Sequence, residues 1–151
     1  MRLPVLASLI VVLGAAPAFA SGGVSCNSGA GPARFDLSVS MGRDFGAGIL
    51  DIAGELVAQL PNVAPDLRQL HFARENPNQI WIDRDVVYFE ISVPHRGDGP
   101  YGYADLTIKT QAVDEGSYVG TYILDIYDVG VEVNGVPQSI TVNGVVSCTT
   151  D

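Results

Sequence analysis

Positive charge is scarce in this chain. Eight Lys and Arg stand against 17 Asp and Glu, a formal charge of −9 over 151 residues. A surface of that sign repels phosphate backbones and anionic lipid, which disfavours nucleic acid and acidic membranes as partners. Tryptophan occurs once, cysteine twice and histidine twice. No His-Glu-x-x-His, His-x-His or Gly-x-Ser-x-Gly pattern is present, so nothing signals a zinc site or a serine nucleophile. Cys-x-x-Cys is missing as well, which removes the usual spacing of a redox pair. No cofactor motif occurs, and no cofactor is expected. Beyond the first twenty residues no apolar run is long enough to cross a bilayer as a helix.

What is present starts with a leader. Met1-Arg2 is followed by an uncharged, largely apolar run from Leu3 to Ala16, and Ala18-Phe19-Ala20 supplies a small-x-small cleavage pattern. A run of about 14 residues is too short to span a membrane, so residues 1–20 are expected to be a signal peptide. Residues 21–151 then form a single exported β domain, periplasmic or secreted. Loss of Arg2 leaves seven basic groups against 17 acidic ones, a mature charge of −10.

Cys26 and Cys148 lie near the two ends of that domain. In an oxidising compartment an even cysteine count implies a bridge. Lipidation of Cys26 would need an apolar residue three positions before it, and Gly23 is there instead. A Cys26–Cys148 bridge contributes roughly 5 kcal/mol in the chain-entropy model, less any native strain. Its geometric consequence is firmer: the first and last segments must be neighbours.

Period-two alternation dominates the domain. Phe35, Leu37, Val39 and Met41 alternate with Asp36, Ser38 and Ser40, as a half-buried strand requires. Val87, Phe89, Ile91 and Val93 form a second inner face, Ala104, Leu106 and Ile108 a third, and Tyr118, Tyr122, Leu124 and Ile126 a fourth. Asp114-Glu115-Gly116 is expected to turn a hairpin between the last two, with glycine taking positive φ. Residues 46–60 fit a strand and an amphipathic helix almost equally; the glycines at 46, 48 and 54 tip the balance to strand, with Leu50, Ile52, Gly54 and Leu56 on one face. Pro65-Asp66 suits the start of a short helix. Near the end, Asn134-Gly135 and Asn143-Gly144 each carry the strongest two-residue turn signal, and Pro137 is expected at an edge or out of the ladder. The fold class that follows is all-β: an antiparallel sandwich or small barrel whose termini are joined by the disulfide. The alternative is α+β, with one or two short helices between residues 46 and 75 on an antiparallel sheet.

Chemical groups concentrate in Pro94-His95-Arg96-Gly97-Asp98-Gly99-Pro100-Tyr101-Gly102-Tyr103, a segment between two long strands. His95, Arg96, Asp98, Tyr101 and Tyr103 are the expected partner-binding residues, set against the plainer reading of a tight connector. Trp81 is opposite in parity to Ile80 and Ile82. Left uncovered it would be a flat platform for a sugar, beside Tyr88; a covering layer that made it core is the more ordinary outcome. Asp83, Asp85, Asp114, Glu115, Asp125 and Asp128 sit at turns, but none has calcium-loop spacing, and solvated turn acids are the simpler reading. A membrane-spanning barrel would need lipid-facing apolar alternation with aromatic girdles throughout, against which the polar stretches 61–79 and 94–102 argue.

Three functions remain in order. A non-catalytic protein-interaction module comes first, a carbohydrate- or calcium-dependent ligand-binding sandwich second, and a hydrolase with a spatially assembled site third. The partner is expected to be a protein or a glycan.

Overall fold

A computed structural model describes residues 22–42, 48–76 and 78–151, so the predicted leader lies outside the described residues. Nine strands and one helical turn follow in order: β1 (Gly22–Ser28), β2 (Ala33–Met41), β3 (Ile49–Ala58), α1 (Pro65–Arg68), β4 (Gln69–Ala73), β5 (Asn78–Ile82), β6 (Val86–Pro94), β7 (Gly102–Asp114), β8 (Ser117–Val133) and β9 (Val136–Thr150). They form one antiparallel sheet in the order β4-β3-β2-β1-β9-β8-β7-β6-β5. The α+β alternative reduces to the four residues of α1, with Pro65 in its first turn.

The strand order is a meander whose first and last strands pair with each other. Its two edges, β4 and β5, are separated by eight antiparallel steps and therefore run in the same direction. Residues 74–77 connect them, a reach of about 18 Å at most. Edges so close in sequence force the sheet to curl until they meet, and β4 packs against β6. β4 and β5 are thus two halves of one interrupted strand, the first paired to β3 and the second to β6. Counted that way the sheet has eight strands. An even number permits all-antiparallel closure, and the architecture is the small-barrel branch of the expectation.

Alternation puts one face of every strand inside. Phe35, Leu37, Val39, Ile52, Leu56, Val87, Phe89, Ile91, Leu106, Ile108, Tyr122, Leu124 and Ile126 fill the interior. Outward positions include Arg34, Asp36, Ser38, Asp51, Glu55, Glu90, Lys109 and Asn143, which are exposed. An apolar inside and a largely polar outside reverse the arrangement of a lipid-facing barrel. No helix among the described residues is long and apolar enough to cross a membrane. Gly120 lets the sheet bend sharply, since a Cβ there would run into the Lys109 carbonyl.

The disulfide is present. Cys26 and Cys148 are direct cross-strand partners on β1 and β9, so it staples the first and last strands inside the core. The Asp114–Gly116 turn forms as expected, with Gly116 at φ 68°. Asn134 and Gly135 also turn, at φ 55° and 75°, the pair of positive angles a tight hairpin demands. Two expectations are corrected. Asn143-Gly144 makes no turn; it lies in β9 opposite Ile123 and Tyr122, where the absent side chain admits the Tyr122 ring. Leu50 does not share the inner face of Ile52, because an irregularity at Ser40/Met41 shifts the register and leaves it exposed. Pro137 falls where β9 has β8 on one side only, since β1 pairs with residues 146–150.

Candidate functional site

The 95–101 connection is anchored before it is displayed. His95 donates its N–H to the Gly102 carbonyl (2.9 Å), which closes the loop at its base. Its side chain is only 9% exposed and points into the protein, with Nδ1 2.6 Å from Oδ2 of Asp66 on α1. The two atoms are in close contact without forming an aligned hydrogen bond, and Nε2 is buried without a partner. The loop wraps the ring so closely that a Cβ on Gly99 would stand 2.8 Å from Nε2. Asp66 also accepts the Arg96 N–H at 3.1 Å. The expectation that His95 is presented with its neighbours is therefore corrected. It clasps the loop to α1, and Asp66 is the partner that sequence reasoning missed.

Arg96 and Asp98 remain at the surface, with Arg96 Nη2 4.0 Å from Glu75 in an exposed pair. Tyr101 and Tyr103 are brought together with Tyr127, which was not among the expected residues. Ring centroids are 6.1 Å apart for Tyr101–Tyr103, 6.3 Å for Tyr101–Tyr127 and 5.5 Å for the nearly parallel Tyr103–Tyr127 pair. Tyr103 and Tyr127 face each other across β7 and β8. Tyr101 is 69% exposed, and its carbonyl accepts the Val129 N–H at 3.1 Å. Counting back from the 114–116 turn would have found Tyr127, because an antiparallel hairpin fixes each partner once its turn is known.

Trp81 stands elsewhere on the barrel. It is 65% exposed, so no layer covers it, and the reading that makes it core is overturned. Its cross-strand partner is Tyr88. The Tyr88 hydroxyl donates to Glu90 Oε2 at 2.6 Å, and the Lys109 ammonium lies 5.8 Å from the Tyr88 ring centre. Acceptance by Glu90 raises the Tyr88 pKa above its ordinary value, with partial desolvation and the Glu90 charge acting in the same sense. From the next row along the sheet, where Gln79 pairs with Glu90, a shallow groove of about 180 Å³ runs between Asn78, Gln79, Glu90 and Ser92. Tyr88 is six residues along β6 from Pro94, the partner of Tyr103, which puts about 20 Å between the two aromatic patches. The structure does not bring Trp81 to the 94–103 segment.

Asp83 and Asp114 keep to turns, but Asp125 and Asp128, expected at turns, lie within β8, and Asp128 is buried rather than solvated. Asp83 and Asp114 accept the N–H of the next residue, Asp125 meets the Thr141 hydroxyl, and the buried Asp128 accepts the N–H groups of Ala64 and Gly130. Asp128 thereby ties the α1 segment to the barrel. Among the described residues no three His, Cys, Asp or Glu side chains gather as metal ligands. Compared with protein-family models, curated proteins and solved structures, the chain matches none.

Proposed function

We propose that this protein is an exported, non-catalytic interaction module that engages a protein partner through the tyrosine-rich end of its barrel. The observation that carries the reading is Tyr101, held largely exposed while seated on Tyr103 and Tyr127. Tyrosine gives a large amphipathic contact at little entropic cost, which is why interfaces favour it. Arg96 and Asp98, exposed in the same loop as Tyr101, add one charge of each sign. The clasp of His95 on Asp66 pre-orders the loop that carries them, and pre-ordering lowers the cost of binding. A hydrolase reading is less well supported, because the Nε2 edge of His95 faces Gly99 rather than a cleft.

Export rests on the leader pattern of residues 1–20 and agrees with a core disulfide, which persists in oxidising compartments. The test compares wild type, Arg96→Ala and Tyr101→Ala as baits in the periplasmic and secreted fractions of the source cell. Both variants should keep stability to within ~0.5 kcal/mol, as surface changes usually do. A protein retained by wild type and lost by both variants is the expected result. Equal capture by all three, or marked unfolding of the variants, makes the loop a connector and ends the proposal.

A further inference from the structure

A second surface, about 20 Å from the tyrosines, has a different chemistry. We infer that the outer face of β5 and β6 is a binding site for an uncharged glycan, which stacks a pyranose ring on Trp81. This goes beyond the protein-partner reading and does not depend on it. A sheet is a rigid support, and the neighbouring positions of an outward row are fixed by its register. Trp81 and Tyr88 occupy adjacent positions of one row, with their Cβ atoms about 5 Å apart, a span comparable with one sugar unit. Tyr103 and Tyr127 stack on each other, whereas Trp81 makes no such ring contact among the described residues, so its indole face stays open to a ligand.

The next row supplies what a polyhydroxylated ring needs once its apolar face is stacked. Gln79 is two residues from Trp81 on the same face and opposite Glu90, and Asn78 joins them in the groove. An amide offers both a donor and an acceptor, and a carboxylate accepts from hydroxyl pairs. Polar groups in such numbers beside a single indole suit a hydroxylated ligand better than an apolar side chain. The C–H face of a pyranose carries slight positive charge and meets the negative face of the indole.

Charge selects the class of glycan. Lys109 is the only lysine of the chain and the only basic side chain in these rows, and it lies over the Tyr88 ring, while Glu90 takes the Tyr88 hydroxyl. A uronate or sulfated sugar would meet Glu90 and the general negative field of a −9 protein, so the ligand is neutral.

Trp81 is the sole tryptophan, so its fluorescence reports this site directly in the mature protein. The probes are an array of neutral α- and β-linked glucans, xylans, mannans, galactans and N-acetylglucosamine oligomers, with polygalacturonate as the charged control. At least one neutral oligosaccharide should shift the emission saturably and protect it from acrylamide. Trp81→Ala should weaken calorimetric binding about tenfold or more, the scale of losing an aromatic anchor, and Gln79→Ala should weaken it with the fold intact by circular dichroism. Tyr101→Ala should bind the sugar as wild type does, which separates this site from the tyrosine patch. A blank array overturns the inference, as does binding that survives Trp81→Ala or is confined to polygalacturonate. Loss of a protein partner in Trp81→Ala, with no sugar bound by wild type, would reassign the face to protein recognition.

Discussion

Gly144 holds its place in the middle of β9 because Tyr122 needs the room. A Cβ there would stand 2.7 Å from the tyrosine ring, whose hydroxyl donates to the Ala33 carbonyl at 2.9 Å and whose edge meets Phe35 at 5.2 Å. Neither neighbour of the ring yields easily in a filled barrel. Gly144→Ala should therefore cost about 1–3 kcal/mol in urea unfolding, the scale of overpacking a core. At Tyr88 the effect is electrostatic. Its hydroxyl is stabilised in the protonated form by Glu90, so its pKa is raised. A raised folded-state value means the contact contributes fully below the ordinary tyrosine range and is lost as pH climbs through the raised pKa. Glu90→Gln should return one of the six tyrosines toward ordinary titration in a difference absorbance scan. An unchanged titration would show that Glu90 does not hold Tyr88 in solution.

At the scale of elements, α1 matters more than its four residues suggest. Asp66 receives the imidazole of His95 and the N–H of Arg96, while Asp128 accepts the N–H of Ala64, so two carboxylates fix one barrel end. Removing Asp66 takes the close polar neighbour from the buried His95 imidazole and the acceptor from the exposed Arg96 N–H. Asp66→Ala should cost about 1–3 kcal/mol and speed amide hydrogen exchange in residues 95–101 ahead of the strands. If exchange there is unaltered, the clasp does not order the loop. The hairpins show the opposite case, elements made by their own local chemistry. Asn134-Gly135 turns because nothing in space competes with it, whereas Asn143-Gly144 has equal turn chemistry and stays extended under the demand of Tyr122.

The molecule as a whole depends on where its ends meet. β1 and β9 close the sheet through a short ladder and the Cys26–Cys148 bond, whose loop spans nearly the entire described chain. Replacing both cysteines by serine should lower stability by about 2–5 kcal/mol, measured by chemical denaturation, because the unfolded chain regains its freedom. The opposite seam is different in kind. β4 and β5 share no ladder, and Asp151 donates its N–H to the Gly23 carbonyl at 3.2 Å, so the two ends are adjacent. A circular permutant that joins Asp151 to Gly22 through a short linker and opens between Arg74 and Glu75 should fold with the same circular dichroism, since the cut severs no strand pairing. A permutant that stays unfolded would mean the 74–77 link is needed to roll the sheet.

Much of this was legible in the linear chain. Alternation marked the inner faces of β2, β6, β7 and β8, because a period of two is a local property that burial on one side imposes on every strand. Redox chemistry and cysteine count indicated the bridge, and turn residues located the hairpins at 114–116 and 134–135. The positions of Tyr101 and Tyr103 at a strand entry were equally visible. Tertiary structure decided the rest. Whether Trp81 is core or surface depends on a covering layer, and parity along one strand says nothing about layers. The inward turn of His95 depends on Asp66, a residue 29 positions earlier that only the rolled sheet brings near. The choice of barrel over sandwich depended on β4 and β5 meeting across residues 74–77, a matter of closure around the whole sheet. Local patterning states which way a side chain faces relative to its own backbone. What stands opposite it is set by pairing between distant segments, and that is resolved only when the sheet curls on itself.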